Sequence, residues 1–412
     1  MQIKFAKVLP LAAAVALVAA CGKNEEKPAD QAAAPAATSA PAAAAGGGET
    51  VVKIGHAAPL TGGIAHLGKD NENGARLAVE EANKEGLTID GKKIKLELVG
   101  EDDAADPKTG TAVAQKLVDE KVVAVVGHLN SGVSIPASKI YSDAGITQIS
   151  PSSTNPDYTK QGFKTTFRVI ANDVQQGTAL GQFAADGLKA KKVAIIDDRT
   201  AYGQGLADEF EKAVKAKGLE VVKREFTTNT ATDFNAILTS IKATKPDVIF
   251  YGGMDAQAGP LAKQMDRLGI KAKLMGGDGW QTPEFIKLAG SASEGQYSSS
   301  CGVPRDKMPG FAAFNDKFKA KFNTEVQIYA PYEYDAVRVL VDAMKRAKST
   351  DPKVYLPEVG KTDYTGVTGK IAFDDKGDIK NGAVTVYQVK NGKWEVVSTV
   401  GGSAPAAASA AQ

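Results

Sequence analysis

Cysteine is nearly absent. The 412 residues hold two, Cys21 and Cys301, too few for a disulfide framework or a zinc knot. Histidine is as scarce, with three (His56, His66, His128), and their spacing fits no metal-ligand pattern. Neither sign of charge dominates, with 50 basic against 48 acidic residues, so no basic field points to nucleic acid. There is no Gly-x-Ser-x-Gly elbow and no Cys/His arrangement to make a nucleophile. Thr61-Gly62-Gly63 lacks the Lys-Ser/Thr of a phosphate loop and reads as a turn at a cleft edge. Catalysis therefore has nothing to stand on, and neither metal nor cofactor is expected. Past the first 20 residues, no apolar run is long enough to cross a bilayer, so the body of the chain is expected to be soluble.

The start of the chain reads as an export signal. Lys4 and Lys7 give a positive n-region, and residues 8–20 an apolar stretch too short for a comfortable span. Val18-Ala19-Ala20-Cys21 resembles the bacterial lipobox, which implies a lipoprotein signal peptide over 1–20 and lipidation of Cys21. Residues 21–49 are Ala/Pro-rich and carry almost no large apolar side chain. Such a segment cannot offset its ordering entropy and is expected to be a disordered tether; residues 401–412 read as a disordered tail.

The part between is long enough for two ordinary domains. Its organising stretch is 121–154: a β-branched run (Val122, Val123, Val125, Val126), the loop Gly127-His128-Leu129-Asn130-Ser131-Gly132, a helical segment over 134–142, a strand over 146–149, and the loop Ser150-Pro151-Ser152-Ser153-Thr154. Strand, loop, helix, strand, loop is the grammar of a parallel sheet. Both loops fall at the carboxyl ends of strands, where open α/β sheets bind ligands. The first feeds a helix N-terminus, whose unpaired N–H groups attract an anion. A small carboxylate-bearing molecule is the natural guest.

Before that stretch, strands are expected over 51–57 and 93–99, with helices over 69–84 and from Pro107. Glu101-Asp102-Asp103 reads as a solvated strand end, with a contact between lobes as the alternative. After Ile170 the alternation restarts: helix 178–188, strand 192–196, helix 203–217, strand 219–226, helix 233–243, strand 247–250, helix 257–268 and strand 272–275. Two long helices follow, 308–321 and 328–346, then strands over 370–373, 383–390 and 393–398, the last two around an Asn391-Gly392 hairpin signal. The fold class is α/β: two doubly wound, Rossmann-like lobes, with a cleft between them that closes by hinge motion on a ligand.

At this level the chain resembles a family. Gly127-His128-Leu129-Asn130-Ser131-Gly132, Pro136-Ala137-Ser138, Ser150-Pro151-Ser152-Ser153-Thr154 and Tyr202-Gly203-Gln204-Gly205 are similar to motifs of the periplasmic branched-chain amino-acid-binding proteins. Tyr251-Gly252-Gly253, Met275-Gly276-Gly277-Asp278-Gly279 and Phe373-Asp374-Asp375-Lys376-Gly377-Asp378 continue the match in order. The resemblance implies the type I periplasmic-binding-protein fold, with a three-strand hinge. Lobe 1 would comprise 51–171 and 302–380, and lobe 2 172–301 and 381–400. It implies an extracytoplasmic, monomeric receptor of an ABC importer. The receptor would sit in the periplasm, held to the membrane only by lipidated Cys21. It would deliver an L-amino acid, aliphatic or branched-chain, to an inner-membrane permease.

The resemblance also implies a site. Ser131 and Thr154 would hold the ligand's α-carboxylate. Ser152 would offer its backbone carbonyl, beside Ser153, to the α-ammonium, together with the Thr154 hydroxyl. Asp278 would complete the ammonium site, and Tyr202 would roof it from lobe 2. Leu67 and Met254 stand where aromatic residues are common, so the pocket wall departs from the family's. Asn130 and Ala105 replace a cysteine pair. A plainer reading stands beside each role: Ser131 as a helix cap, Thr154 as turn chemistry, Asp278 as a solvated loop acid, Tyr202 as a packed aromatic. Other functions on the same fold are binding of small amides or aromatic acids, and ligand sensing in place of transport.

Overall fold

The computed structural model describes residues 49–402. The expected signal peptide, Cys21, all of the 21–49 tether but its last residue, and the tail beyond residue 402 lie outside the described residues.

The first sheet forms from the first third of the chain. β1 (Thr50–Ala58) leads to α1 (Ala65–Lys84), the short β2 (Thr88–Ile89) and β3 (Lys92–Asp102). α2 (Pro107–Asp119) and β4 (Ala124–Gly127) follow, then α3 (Ser131–Asp143), β5 (Thr147–Ser150), the single turn α4 (Asp157–Lys160) and β6 (Thr166–Arg168). The strand order is β2-β3-β1-β4-β5-β6, parallel except for β2. β4 and β5 are buried at every position, as strands covered on both faces must be. The chain runs outward from β1 to β3 and then returns to β4 on the other side. This puts a topological switch point between β1 and β4.

The second sheet begins after α5 (Asp173–Gln182), which opens with a capping box between Asn172 and Gln175. β7 (Lys192–Asp197), α6 (Ala201–Ala216), β8 (Glu220–Phe226), α7 (Asn235–Thr244), β9 (Val248–Gly252), α8 (Asp255–Arg267), β10 (Lys273–Gly276), α9 (Pro283–Ala289) and β11 (Tyr297–Ser300) follow in turn. The chain then goes back to the first sheet's layer. α10 (Phe311–Phe322) and α11 (Ala330–Ala347) pack on α1, and α12 (Pro352–Gly360) packs on α11. α11 buries Val337, Leu340, Val341 and Met344, each worth about 1.5–3 kcal/mol. A small hairpin, β12 (Tyr364–Thr365) and β13 (Lys370–Ile371), follows. Finally β14 (Val384–Lys390) and β15 (Lys393–Val400) join the second sheet, whose order is β15-β14-β11-β10-β9-β7-β8. Asn391 and Gly392 between them both have positive φ, as a tight hairpin turn requires. The second sheet's switch point lies between β7 and β9.

Some expectations need correction, among them the helix starts at α1 and α5, which lie at Ala65 and Asp173 rather than at 69 and 178. Glu101-Asp102-Asp103 is solvated only in part: Glu101 and Asp102 are half-buried, Asp103 is not exposed. Asp103 is fully buried, its Oδ2 2.7 Å from His128 Nδ1, and Tyr141 Oη lies 3.0 Å from the ring's other nitrogen. Asp102 ties down the loop after β1 by accepting from Leu60 N at 2.8 Å and Thr61 Oγ1 at 2.6 Å. The His128 contact offsets the cost of taking Asp103 out of water. α3 begins at Ser131 rather than Ser134. α12 was not foreseen, because Pro352 and Pro357 mask its periodicity; Asp351 caps its start by accepting from Lys353 N.

Candidate functional site

The loops at the two switch points converge. Leu129, Asn130, Ser131 and Ser152 of the first sheet line one small space with Tyr202 and Met254 of the second, and with Tyr329 just ahead of α11. The space is about 10 Å³, room for roughly one water. A larger guest needs more room than these side chains leave. A second hollow, about 320 Å³, lies among Phe163, Phe167, Leu356 and Lys376, and none of the expected ligand-binding residues lines it.

The first-sheet side is built from short polar side chains that fix their own loops. β4 ends at Gly127, where φ is +116° and a Cβ would fall 2.3 Å from Ala57 O, so only glycine fits. Asn130 stands at the N-cap of α3 without a side-chain cap bond, and its Oδ1 is buried without a partner. Ser131 Oγ accepts from Asn155 N at 3.2 Å, which leaves its own proton free to donate. The start of α3 leaves amide groups without intrahelical acceptors. Ser150 Oγ accepts from Ser153 N at 2.9 Å and donates to His128 O at 2.9 Å, which folds the second loop against the first. Ser152 Oγ donates to Leu129 O at 3.1 Å. Ser153 Oγ lies 2.5 Å from Ser134 Oγ, so its hydroxyl is engaged inside the loop. Thr154 Oγ1 is buried outside hydrogen-bond geometry, next to the Asp173 carboxylate.

The second-sheet side carries the charge. Thr200 caps α6 by accepting from Gly203 N, which sets Tyr202 in the first turn. Tyr202 Oη donates to Asp278 Oδ1 at 2.9 Å and accepts from Gly279 N at 2.9 Å. Gln176 Nε2 donates to the same carboxylate oxygen at 3.0 Å, and Gln176 Oε1 accepts from Asp278 N at 2.9 Å. Tyr329 Oη donates to Asp278 Oδ2 at 2.8 Å. A Cβ on Gly279 would fall 2.6 Å from Met254 Sδ and 2.9 Å from Tyr202 Cε1, so glycine is what lets both side chains close over the acid.

Asp278 is fully buried. Burial pushes its carboxyl above the usual carboxylate range, and the bonds from Tyr329, Gln176 and Tyr202 pull it back. All three donors are neutral, and among the described residues no Lys, Arg or His forms an ion pair with Asp278. Burial beside Asp278 holds the Tyr202 and Tyr329 hydroxyls protonated. Asp173 is also fully buried and pushed up, first by desolvation and then by the charge of Asp278.

Of the sequence-derived residues, Ser131, Ser152, Tyr202 and Met254 line the space, and Asp278 sits directly behind Tyr202 and Tyr329. Ser153 and Thr154 are in the loop around it. Leu67 is fully buried in the apolar core near the start of α1 and is not among the lining side chains. Sequence reading missed Tyr329 and Gln176. Tyr329 fell inside an expected helix, although the Ala330-Pro331 step marks a helix start just after it. Gln176 is one residue past a capping box and has no signal of its own. Among the described residues, no group of three His, Cys, Asp or Glu side chains is placed to hold a metal ion. Cys301 is buried, and burial raises its thiol well above the ordinary range.

Comparison with known proteins fits this arrangement. The family model described as "Periplasmic binding protein" matches residues 51–393. A Leu/Ile/Val-binding protein homolog from Brucella abortus is 39% identical over 348 residues, covering 84% of this chain and 90% of that protein. A leucine-binding protein from Thermotoga maritima superposes with a TM-score of 0.79 at 32% identity, over 85% of this chain and 98% of that one. A branched-chain amino-acid substrate-binding protein from Streptococcus pneumoniae, solved with isoleucine, gives 0.77 at 31% identity over 86% and 100%. With two α/β sheets whose switch points face one site, the chain belongs to the periplasmic-binding-protein family, among the Leu/Ile/Val-binding proteins of type I fold.

Proposed function

We propose that the chain is the periplasmic receptor of an ABC importer and captures an aliphatic, branched-chain L-amino acid between its two lobes. The observation that carries this is the pairing of ends. A buried carboxylate, Asp278, has only neutral donors, and a helix start with Ser131 lies across the same small space. A zwitterion satisfies both. Its carboxylate takes the Ser131 hydroxyl, the first amides of α3 and Thr154. Its ammonium takes Asp278, with the Ser152 carbonyl and the Thr154 hydroxyl. Without such partners, desolvating each ion costs several kcal/mol. Leu129 and Met254 offer the apolar surface for an aliphatic side chain, and Tyr202 covers it; Leu67 backs the wall from the core.

The lobes would be residues 51–171 with 302–380, and 172–301 with 381–400. The packing of α10 and α11 on α1 and of β14 on β11 supports this division. Lobe 1 holds the headgroup first; lobe 2 then closes with Asp278 and Tyr202. A ligand shifts that equilibrium only through contacts made better in the closed form, and the closed form is what the permease reads. The receptor acts as a monomer and is tethered through lipidated Cys21.

The test is a thermal-shift and calorimetric screen of L-leucine, L-isoleucine and L-valine against a small amide and benzoate. An amino acid at 100 times its Kd stabilises the fold by about 2.7 kcal/mol. Benzoate has no ammonium and meets the Asp278 charge unpaired, so it should not bind. Binding of benzoate in preference to every amino acid would overturn the proposal.

A further inference from the structure

His66 lies at the start of α1, on the first sheet's layer, and Asp255 opens α8 on the second's. His66 Nε2 is 2.8 Å from Asp255 Oδ2, which also accepts from Thr282 Oγ1 at 2.7 Å. Asp255 has no exposed side-chain surface, whereas His66 keeps 27%. The contact therefore bridges the lobes where solvent protons can reach the ring. Asp255 adjoins Met254 in the chain, and Met254 lines the small space, so the bridge stands at the edge of the ligand site without lining it. Asp255 Oδ1 is buried without a partner, and among the described residues His66 is the one cationic group paired with this acid.

We propose that closing the lobes takes up a proton at His66, which makes the His66–Asp255 contact a proton-linked latch on ligand capture. This rests on the receptor reading above. The charged groups facing the ring are Asp255 on α8, Glu284 on α9 and Asp70 on α1 itself, all acidic. Burial opposes the charged ring, but the hydrogen bond and charge of Asp255, followed by the charges of Glu284 and Asp70, outweigh it and raise its pKa. When the lobes part, Asp255 and Glu284 leave with the second lobe, and the ring returns toward its ordinary value of about 6.5. The closed form then binds the proton more tightly than the open one. Ligand affinity is highest below the open-form value and declines as pH rises through the closed-form value.

The experiment is calorimetry of the full chain with L-leucine, in buffers of differing ionisation heat, between about pH 8 and pH 5.5. Net proton uptake of up to one per bound leucine is expected, with Kd falling as the pH falls. His66→Gln should lose this uptake. Asp255→Asn, which keeps the ring and removes the charge, should lose it too and serves if the first variant does not fold. Leucine binding without uptake in the unaltered chain, or uptake that persists in these variants, overturns the latch alone. Failure to bind leucine, isoleucine or valine at all overturns the receptor reading, and the latch with it.

Discussion

Tyr329 Oη donates to Asp278 Oδ2 at 2.8 Å, and the two residues stand on different sheets' layers. The bond joins the residue just ahead of α11 to the loop after β10, beside the small space between the two sheets' loops. Asp278 is thus a hub with three neutral donors.

Replacing the hub should cost most. Asp278→Ala removes the one acid, among the described residues, in direct hydrogen-bond contact with both Tyr202 and Tyr329. A charge-assisted bond of this kind contributes about 1.5–3 kcal/mol, so Kd for L-leucine should rise roughly 10- to 150-fold. Calorimetry decides it, and an unchanged Kd would remove the ammonium role.

Tyr329→Phe keeps the ring and deletes one donor. The loss should be smaller, about 1–2 kcal/mol, or roughly 5- to 30-fold in Kd. Circular dichroism melts should show the fold intact. If affinity is indifferent to the hydroxyl, the contact across the lobes is packing only.

Asp70 controls where Tyr329 stands. Its carboxylate accepts from Gln327 N, Ile328 N, Tyr329 N and Ala330 N at 2.8–3.0 Å, which caps α11 from α1. Asp70→Ala strands these buried amides and should destabilise the protein by about 2–4 kcal/mol in urea unfolding. Leucine affinity should weaken as well, because Tyr329 loses its anchor.

Much of this was legible in the sequence. The 121–154 stretch, its two loops and the Asn391-Gly392 turn carry local signals, because strand runs, helix starts and left-handed turn residues depend on neighbours in the chain. Ser131, Tyr202 and Asp278 could be marked by position after a strand and by resemblance. Asp103, Gln176, Tyr329 and the His66–Asp255 contact could not. Each acquires its role from a partner 25 to 189 residues away, and nothing in the local pattern of an acid, an amide or a histidine announces such a partner. Leu67 shows the converse: standing where the family commonly carries an aromatic does not say which way the helix turns it.

Asp198 offers a stability prediction with a defined pH course. Its Oδ1 accepts from Thr200 N at 2.9 Å and Thr200 Oγ1 at 2.6 Å, while Oδ2 is buried without a partner. Burial, opposed by the Thr200 bonds, pushes its carboxyl up to about 6. The folded state therefore holds this proton more tightly than the unfolded chain, where the pKa is about 3.9. Stability from this group is full below about pH 3.9 and is lost as pH rises through about 6. Asp198→Asn keeps the accepting oxygen and removes the charge. It should stabilise the protein at pH 7 by roughly 1–3 kcal/mol and make little difference at about pH 4. Denaturation curves at the two pH values decide it; equal effects at both would exclude the ionisation as the cause.

The pairing of β14 with β11 has a consequence for assembly. Ser300 meets Thr385 across that ladder, so a growing polypeptide makes five parallel strands of the second sheet long before their antiparallel neighbour. Until residues 384–390 have been synthesised and delivered, β11 keeps a bare row of amide and carbonyl groups, the kind of template on which chains stick to one another. The second lobe is therefore sealed last, and an incomplete chain is the form most exposed to aggregation.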